Sequence, residues 1–483
     1  MIGIFAKNRL VNRKFLTPSY FTLYLITAVI FYSLFNIKPW KNADDNKEKS
    51  LVINNDVVSY YAYLPAFFIH DDLQLNFTET DKIDYHAKCQ FWPEKSPNGG
   101  KVIKTTMGMS FLYSPFFIAG HIYAINSHHK ADGFSKPYEF FLTFSCLFYL
   151  TIGIIFLRKI LLRTFSEWVT SITLICLVFG THLYYYSTTE ATMSHAYNFS
   201  LIACFIYYTF KWHEQQKLFY TILLGIIGGL IVLIRPVNII LFLLPFLYNV
   251  KSLNELKEKT LFFISHWKHL LVIVVLALLV ISPQLFYWKY VTGDWFFNSY
   301  VGEKFYFGQP HIMEFLFSYR KGWLLYTPIM LLSIIGIILS YKGQKNIFFG
   351  LSIILGLNIY ILSSWWSWWY GGSFGMRPMI DVYALLAIPF ALSIQWIIQR
   401  HIFLKIITGW LILYFINLNL FQTAQKRHNV LHWDSMTKDA YWTNFNKLRM
   451  KTANDWHILE KQIQPPDYEA AKKGIDEYNF DPF

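Results

Sequence analysis

The sequence predicts an all-α polytopic membrane protein of about eleven transmembrane helices with a long external first loop. Three observations point there. The 483 residues are 54% hydrophobic and 20% aromatic but only 15% charged, and the mean hydropathy is +0.30, too apolar for an ordinary soluble chain. Apolar runs recur at about the 20 residues that one helix needs to cross a bilayer. The basic residues behind a net charge of +13 fall in short clusters between these runs, the pattern of a topology signal rather than of a nucleic-acid surface.

The expected spans are 18–37, 138–157, 167–187, 194–212, 218–234, 236–249, 269–288, 323–341, 346–364, 381–398 and 402–421. The first is read as a retained helix, because the basic start is followed by a long apolar stretch with no small-residue cleavage signal. "LIRPVN" separates the fifth from the short sixth, which makes them a hairpin dipping into the membrane edge. A further stretch, 106–126, is assigned to the membrane surface or to a re-entrant path. Only then do Arg158, Lys159 and Arg163 fall on the same side as Lys7, Arg9, Arg13 and Lys14, together with the later short basic loops. Gly108, Pro115, Gly120 and His121 suit that role. The resulting map is a cytoplasmic N-terminus (1–17), a transmembrane domain (18–421) whose loop 38–137 is external, and an external tail (422–483). In the tail, "PPDYEAAKKG" predicts a short helix begun by proline and ended by glycine.

All the unusual polar residues then share one face. Asp56 heads "NNDVVSYYAYLPAFF", and Tyr60, Tyr61, Leu64 and Phe68 recur at helical spacing as a face for lipid or protein. Asp56 either caps that helix or does chemistry, and Asp71 and Asp72 close it as turn residues or as metal or acceptor contacts. Arg235 in "VLIRPVN", Arg320 and Lys321 in "FSYRKGW", and Arg377 in "GGSFGMRPMID" place cations at three helix mouths. Arginine's fork suits a phosphate, and lipid-headgroup snorkelling is the plainer alternative. Glu190 and His195 in "TTEATMSHAY" are an acid–base pair, a metal pair or interfacial polar residues; Trp369, in "WWSWWYGG", belongs to an aromatic belt or lines a sugar or lipid pocket. Three of the four cysteines (Cys146, Cys176, Cys204) lie inside apolar runs, and Cys89 lies in a polar loop, so no disulfide framework or metal-type spacing exists.

With these motifs the chain resembles the glycosyltransferase C superfamily, which includes the protein O-mannosyltransferases and the aminoarabinose transferases of lipid A. The likeness rests on Asp56 in the first external loop, the segment 106–126, the "RKGWLLYTP" hairpin and "GGSFGMRPMIDVY". It implies a sugar carried on a polyprenyl phosphate and an acceptor hydroxyl on a glycan, lipid or protein. It also implies inversion at the anomeric carbon, with Asp56 as base and Arg377, Arg235, Arg320 and Lys321 at the donor phosphate. Tyr60, Tyr61 and Trp369 would line the substrate. The setting implied is a bacterial inner membrane with the site on its periplasmic or extracellular face, with membrane lipids and no nucleic acid as partners. Many members pair the loop acid with a second acid; here the neighbours are Asn55 and Val57, which leaves the need for a divalent cation open. A lipid-linked saccharide flippase or a polysaccharide polymerase or ligase would share the substrate class. The first would show mid-span charges or repeats, and the second would gather its arginines in one late loop.

Overall fold

A computed structural model of the chain describes residues 17–44, 49–81, 83–343 and 345–475. The basic cluster Lys7, Arg9, Arg13 and Lys14 lies outside the described residues. Helix α1 (Pro18–Ile37) opens on a proline, whose missing N–H costs nothing in a first turn, and stops where Lys38 turns left-handed ahead of Pro39. The loop after it holds α2 (Asp56–Tyr61), α3 (Tyr63–Phe68), α4 (Phe77–Thr80) and α5 (Tyr85–Cys89). It ends in a two-stranded antiparallel ribbon, β1 (Glu94–Lys95) with β2 (Lys101–Val102). Next come α6 (Gly108–Ile125), α7 (Lys136–Leu161) and α8 (Glu167–Phe179), whose first turn is capped by Ser166. The short α9 (Tyr185–Thr188), α10 (Ser194–Glu214), α11 (Leu218–Ile234) and α12 (Leu243–Leu247) follow. The amphipathic α13 (Leu253–Ser265) leads into α14 (Trp267–Thr292).

After a loop come α15 (Ile312–Phe317), α16 (Trp323–Tyr326), α17 (Leu331–Gly343), α18 (Lys345–Ser363), α19 (Tyr383–Ile398) and α20 (Ile402–Arg427). The tail adds α21 (Lys438–Asn444), α22 (Ala453–Gln462), with a Thr452–Asp455 capping box, and α23 (Tyr468–Lys472). The helix expected in "PPDYEAAKKG" is α23. Within the tail Tyr468 donates to Asp434 at 2.7 Å, and the tail docks on the loops as Arg320 donates to the Gln464 carbonyl at 3.3 Å.

Each of the eleven predicted segments carries helix. Among the described residues, however, five helices are long and apolar enough to cross a membrane: Pro18–Asn42, Lys136–Leu161, Trp267–Thr292, Arg377–Ile398 and Ile402–Arg427, and five more apolar ones are shorter. Prolines account for much of the shortening. Pro236 and Pro328 begin 3₁₀ turns that interrupt the expected sixth and eighth spans. The third expected span stops at Phe179 rather than 187, where Gly180 ends the helix.

The packing sequence is α14–α11–α10–α7–α6 on one side and α1–α8–α19–α17–α18 on the other, joined where α10 meets α19 and α1 meets α7. Helix α7 runs parallel to α10, with Ser145 bonded to Tyr197 near the start of α10 and Arg163 bonded to Glu214 at its end. Helix α6 is antiparallel to the first half of α7 only: Tyr149 donates to the Leu112 carbonyl at 3.0 Å, and His121 bonds Tyr138. Its first turn abuts the end of α11, where a Cβ on Gly108 would lie 2.6 Å from the Ile234 nitrogen. Ile118, Ile122, Tyr123 and Ile125 leave an apolar face exposed on α6. The predicted lipid face of 57–69 is different from the expectation. Tyr61 and Leu64 are buried, Tyr60 is half-buried, and Phe67 and Phe68 are the exposed apolar residues, so the face that packs inward is the one expected to meet lipid.

Candidate active site

Asp56 is the first residue of α2, where a carboxylate is favoured by the free N–H groups of the opening turn. The turn that delivers it is anchored from several sides. Ser50 N–H donates to the Lys88 carbonyl at 2.9 Å, and Asn55, left-handed at φ +48°, donates its N–H to the Cys89 carbonyl at 3.0 Å. The Ser50 hydroxyl accepts from the Ile53 and Val52 N–H groups at 2.8 and 3.2 Å and donates to the buried Glu139 carboxylate at 2.6 Å. Thr192 closes the other side by donating to the Val52 carbonyl at 3.0 Å.

Opposite stands Arg377, whose Nη2 lies 3.0 Å from Asp56 Oδ2. Asp56 keeps 44% of its side chain exposed against 16% for Arg377, so the acid faces an opening and the arginine sits behind it. The Arg377 Nε has no hydrogen-bond partner among the described residues. Its loop is held from below: Phe374 N–H donates to Tyr186 Oη at 2.9 Å, Ser373 N–H donates to the Trp433 carbonyl at 3.2 Å, and Gly375 (φ +55°) packs against the His182 ring. A side chain at Gly375 would put its Cβ 2.1 Å from that ring.

Arg235 joins the same site through a second Arg–Pro turn. Arg235 caps the 3₁₀ turn Pro236–Phe242, and Arg377 begins the 3₁₀ turn Arg377–Val382. Asp381, 2% exposed, ties them together. Its carboxylate accepts from Asn238 at 2.9 Å and Asn198 at 3.1 Å, and it lies 3.7 Å from Arg235 Nε. His195 Nδ1 stands 3.2 Å from Asp381 and 2.9 Å from Arg235 Nη1. A buried carboxylate is tolerable with this many donors, and here they fix the arginine's direction. Burial and then Asp56 hold the Tyr60 phenol above its usual range, while Arg235 and Arg377 oppose them. Burial, Tyr60 and Asp56 do the same to Tyr300, which places both phenols in the field of the acid–arginine pair.

The other predicted residues have different surroundings. Arg320, 1% exposed, lies over the Trp369 ring at 5.2 Å and donates to the Gln464 carbonyl at 3.3 Å. Lys321, 2% exposed, donates to the Ser373 and Trp433 carbonyls. Burial and then Lys426 push the Lys321 ammonium well below the usual lysine range. Both cations help join the tail to the loops. Trp369 is buried among Trp366, Trp368 and Tyr468, and Tyr61 donates to the Gly133 carbonyl, so both are packing residues. Asp72 accepts from the Gln74 and Phe77 N–H groups at 3.0 and 2.9 Å, which makes it a turn acid; Asp71 is exposed at φ +47°. Glu190 accepts from Tyr185 Oη at 2.8 Å, and His195 belongs to the Asp381 cluster rather than to a pair with Glu190.

Asp381, Asn198 and Asn238 were not singled out from the sequence. The signal was present: both arginines read Arg-Pro, with a polar residue at the third or fourth place, Asn238 and Asp381. Asp56 has no second carboxylate beside it, and among the described residues no three His, Cys, Asp or Glu side chains group as metal ligands.

No family model and no curated protein matches the chain. Among solved structures, it is similar to the archaeal oligosaccharyltransferase AglB from Archaeoglobus fulgidus in complex with an inhibitory peptide and a dolichol-phosphate. The TM-score is 0.46 at 14% identity, over 96% of this chain and 61% of that one. The same organism's oligosaccharyltransferase in complex with zinc and sulfate gives a TM-score of 0.45 at 13% identity, over 95% and 59%. The chain thus spans about three-fifths of the length of these structures.

Proposed function

We propose that the chain is an integral membrane glycosyltransferase that moves a sugar from a polyprenyl-phosphate donor to an acceptor hydroxyl on the external face, with Asp56 as base. One observation carries the reading: an accessible carboxylate from the first loop meets an arginine from a loop more than three hundred residues later, 3.0 Å apart, at a helix mouth. A general base must reach the acceptor proton, and a cation must face the charge that develops on the leaving group.

In this mechanism the acceptor oxygen attacks the anomeric carbon as its proton passes to an Asp56 carboxylate oxygen. The bond from that carbon to the phosphate oxygen breaks, and its electron pair leaves with the lipid phosphate, which Arg377 and Arg235 receive. A single displacement inverts the configuration. Tyr60 and Tyr300, whose phenols feel the Asp56 charge, would offer hydroxyls to the sugar. The topology that goes with this reading puts the mouth formed by Asp56, Arg235 and Arg377 outside and the Arg158–Arg163 cluster inside.

The test uses membranes containing the full chain, supplied with polyprenyl-phosphate sugars. Transfer by the natural sequence, lost in Asp56→Asn and weakened in Arg377→Ala, is the expected result. Undiminished transfer by Asp56→Asn would remove this residue as the base, and an external tag at residues 158–163 would overturn the topology.

A further inference from the structure

Helix α20 is fastened to the molecule at one end. Its buried residues are Asn419, Gln422, Thr423, Gln425 and Lys426, all in the last turns. There Asn419 Nδ2 donates to the Phe179 and Thr181 carbonyls at 2.9 Å each, and Gln422 Nε2 donates to Tyr441 Oη at 2.7 Å. Before that grip the helix rests on the bundle through the half-buried Ile412, Phe415 and Ile416. The opposite stripe, Phe403, Ile406, Trp410, Leu413 and Asn417, is exposed along its whole length. Lys405 marks one polar end of the apolar zone and Gln422 the other, so Trp410 and Asn417 each lie five residues, about 7.5 Å, inside it.

A stripe made only for lipid has no use for Asn417. Its Nδ2 donates to the Leu413 carbonyl of its own helix at 3.0 Å, and its Oδ1 accepts no hydrogen bond among the described residues. Hydrocarbon offers no donor, so the amide is costly there until a second helix completes it. A primary amide donates and accepts at once, and a two-fold axis along the membrane normal supplies its complement as a second copy of itself. The spacing agrees. Phe403, Trp410 and Asn417 repeat every seven residues with Ile406 and Leu413 between them, the a and d places of a parallel two-stranded coil, in which a lone asparagine at an a place sets the register. Beside Trp410, Gly409 has nothing within 4 Å of the place a Cβ would take, which leaves room for a partner's indole. The area also suffices. Phe403, Ile406, Trp410, Leu413 and Tyr414 are between 52% and 70% exposed, on the order of 500 Å² per copy and about 1,000 Å² for a pair, where specific interfaces begin.

We infer that α20 pairs with α20 of a second copy of this chain, the two Asn417 amides bonding across a two-fold axis within the membrane. The pairing is independent of the glycosyl-transfer reading, and its test needs no turnover. The full chain, carrying one fluorophore per copy, is placed in liposomes of neutral phospholipid, and single-molecule photobleaching counts copies over a range of protein-to-lipid ratios. Two-step bleaching should rise with density for the natural sequence. Asn417→Leu, which keeps the stripe apolar, should weaken association about tenfold, and Asn417→Gln, which keeps an amide, should recover part of it. A second measurement maps the contact. The four native cysteines are buried, so oxidation of membranes should join copies of Leu413→Cys and leave Leu411→Cys, which stands to the side of the stripe, as single chains. Unfolding midpoints identify any variant that has merely lost its fold; Asn417→Val then replaces Asn417→Leu. Single copies at every ratio, meaning that lipid alone covers the stripe, would overturn the inference. So would association that ignores Asn417→Leu, or cross-linking of Leu411→Cys as ready as that of Leu413→Cys. The outcome for Asp56→Asn in transfer bears on none of these results.

Discussion

Arg377 Nη2 lies 3.0 Å from Asp56 Oδ2, and this contact couples the proposed base to the proposed phosphate receptor. While the pair is closed, the Arg377 guanidinium occupies the Asp56 oxygen that would take up the acceptor's proton. A donor phosphate that draws on Arg377 would free the acid. Asp56→Asn should therefore cost roughly 10²–10⁴ in transfer rate. The double variant with Arg377→Ala should lose much less than the product of the two single losses, since the residues share one contact. Initial rates of the three variants across one donor series decide this.

The Ser50 hub gives a prediction about position rather than chemistry. Ser50→Ala strands two backbone N–H groups and a Glu139 oxygen in a buried place, which costs about 1–3 kcal/mol. Transfer rate should fall while donor affinity, set at Arg377, holds. Glu139→Gln keeps an acceptor for Ser50 and should lose less of either quantity than Glu139→Leu. Unfolding midpoints alongside rate and affinity measurements separate the outcomes.

Gly375→Ala should act on the arginine from behind. The backbone is left-handed there at φ +55°, and the new Cβ would meet the His182 ring at 2.1 Å. The loop has to shift, and Arg377 shifts with it. Donor affinity should drop more than stability, whereas Gly371→Ala, with open space around its Cβ, carries only the backbone strain. Donor titrations of the two variants test the contrast.

Acid should loosen the tail's own packing. Asp434 would be raised by burial, but bonds from His432, Ser435 and Tyr468 outweigh that and hold its carboxyl below the usual range. A carboxylate with a depressed folded-state value contributes stability above its unfolded value, and that contribution is lost as pH falls through the folded one. Protection factors for hydrogen exchange over residues 430–475, taken relative to the intrinsic rate at each pH, should fall on acidification. In Asp434→Asn the protection should be low already at neutral pH and less sensitive to acid.

Cys89 should resist alkylation in the native protein. Burial, and then Glu139, push its thiol up to about 12, and the reactive thiolate is scarce at neutral pH. Maleimide labelling should appear only after denaturation.

Much of the architecture was legible because membrane helices announce themselves by length and apolar composition. The Asp56 and Arg377 positions were legible because charges at helix mouths are conspicuous. The sequence could not show that Arg320 and Lys321 turn inward to carbonyls of the tail and its neighbouring loop. An arginine destined for a phosphate and one destined for a backbone carbonyl look alike before the tail has folded over them. Asp381 was hidden for a related reason. Its use depends on Asn198 and Asn238, which come from separate helices and meet it only through packing.

The two Arg–Pro turns, stitched by Asp381 and Asn238, act mechanically as one plate. Arg235 and Arg377 cannot easily part, because the hydrogen bonds that would have to break are buried. The acid belongs to another body, the first loop, pinned by Ser50 and Thr192 to different partners. In the proposed transfer, admitting a lipid-borne sugar means parting Asp56 from Arg377 at their 3.0 Å ion pair.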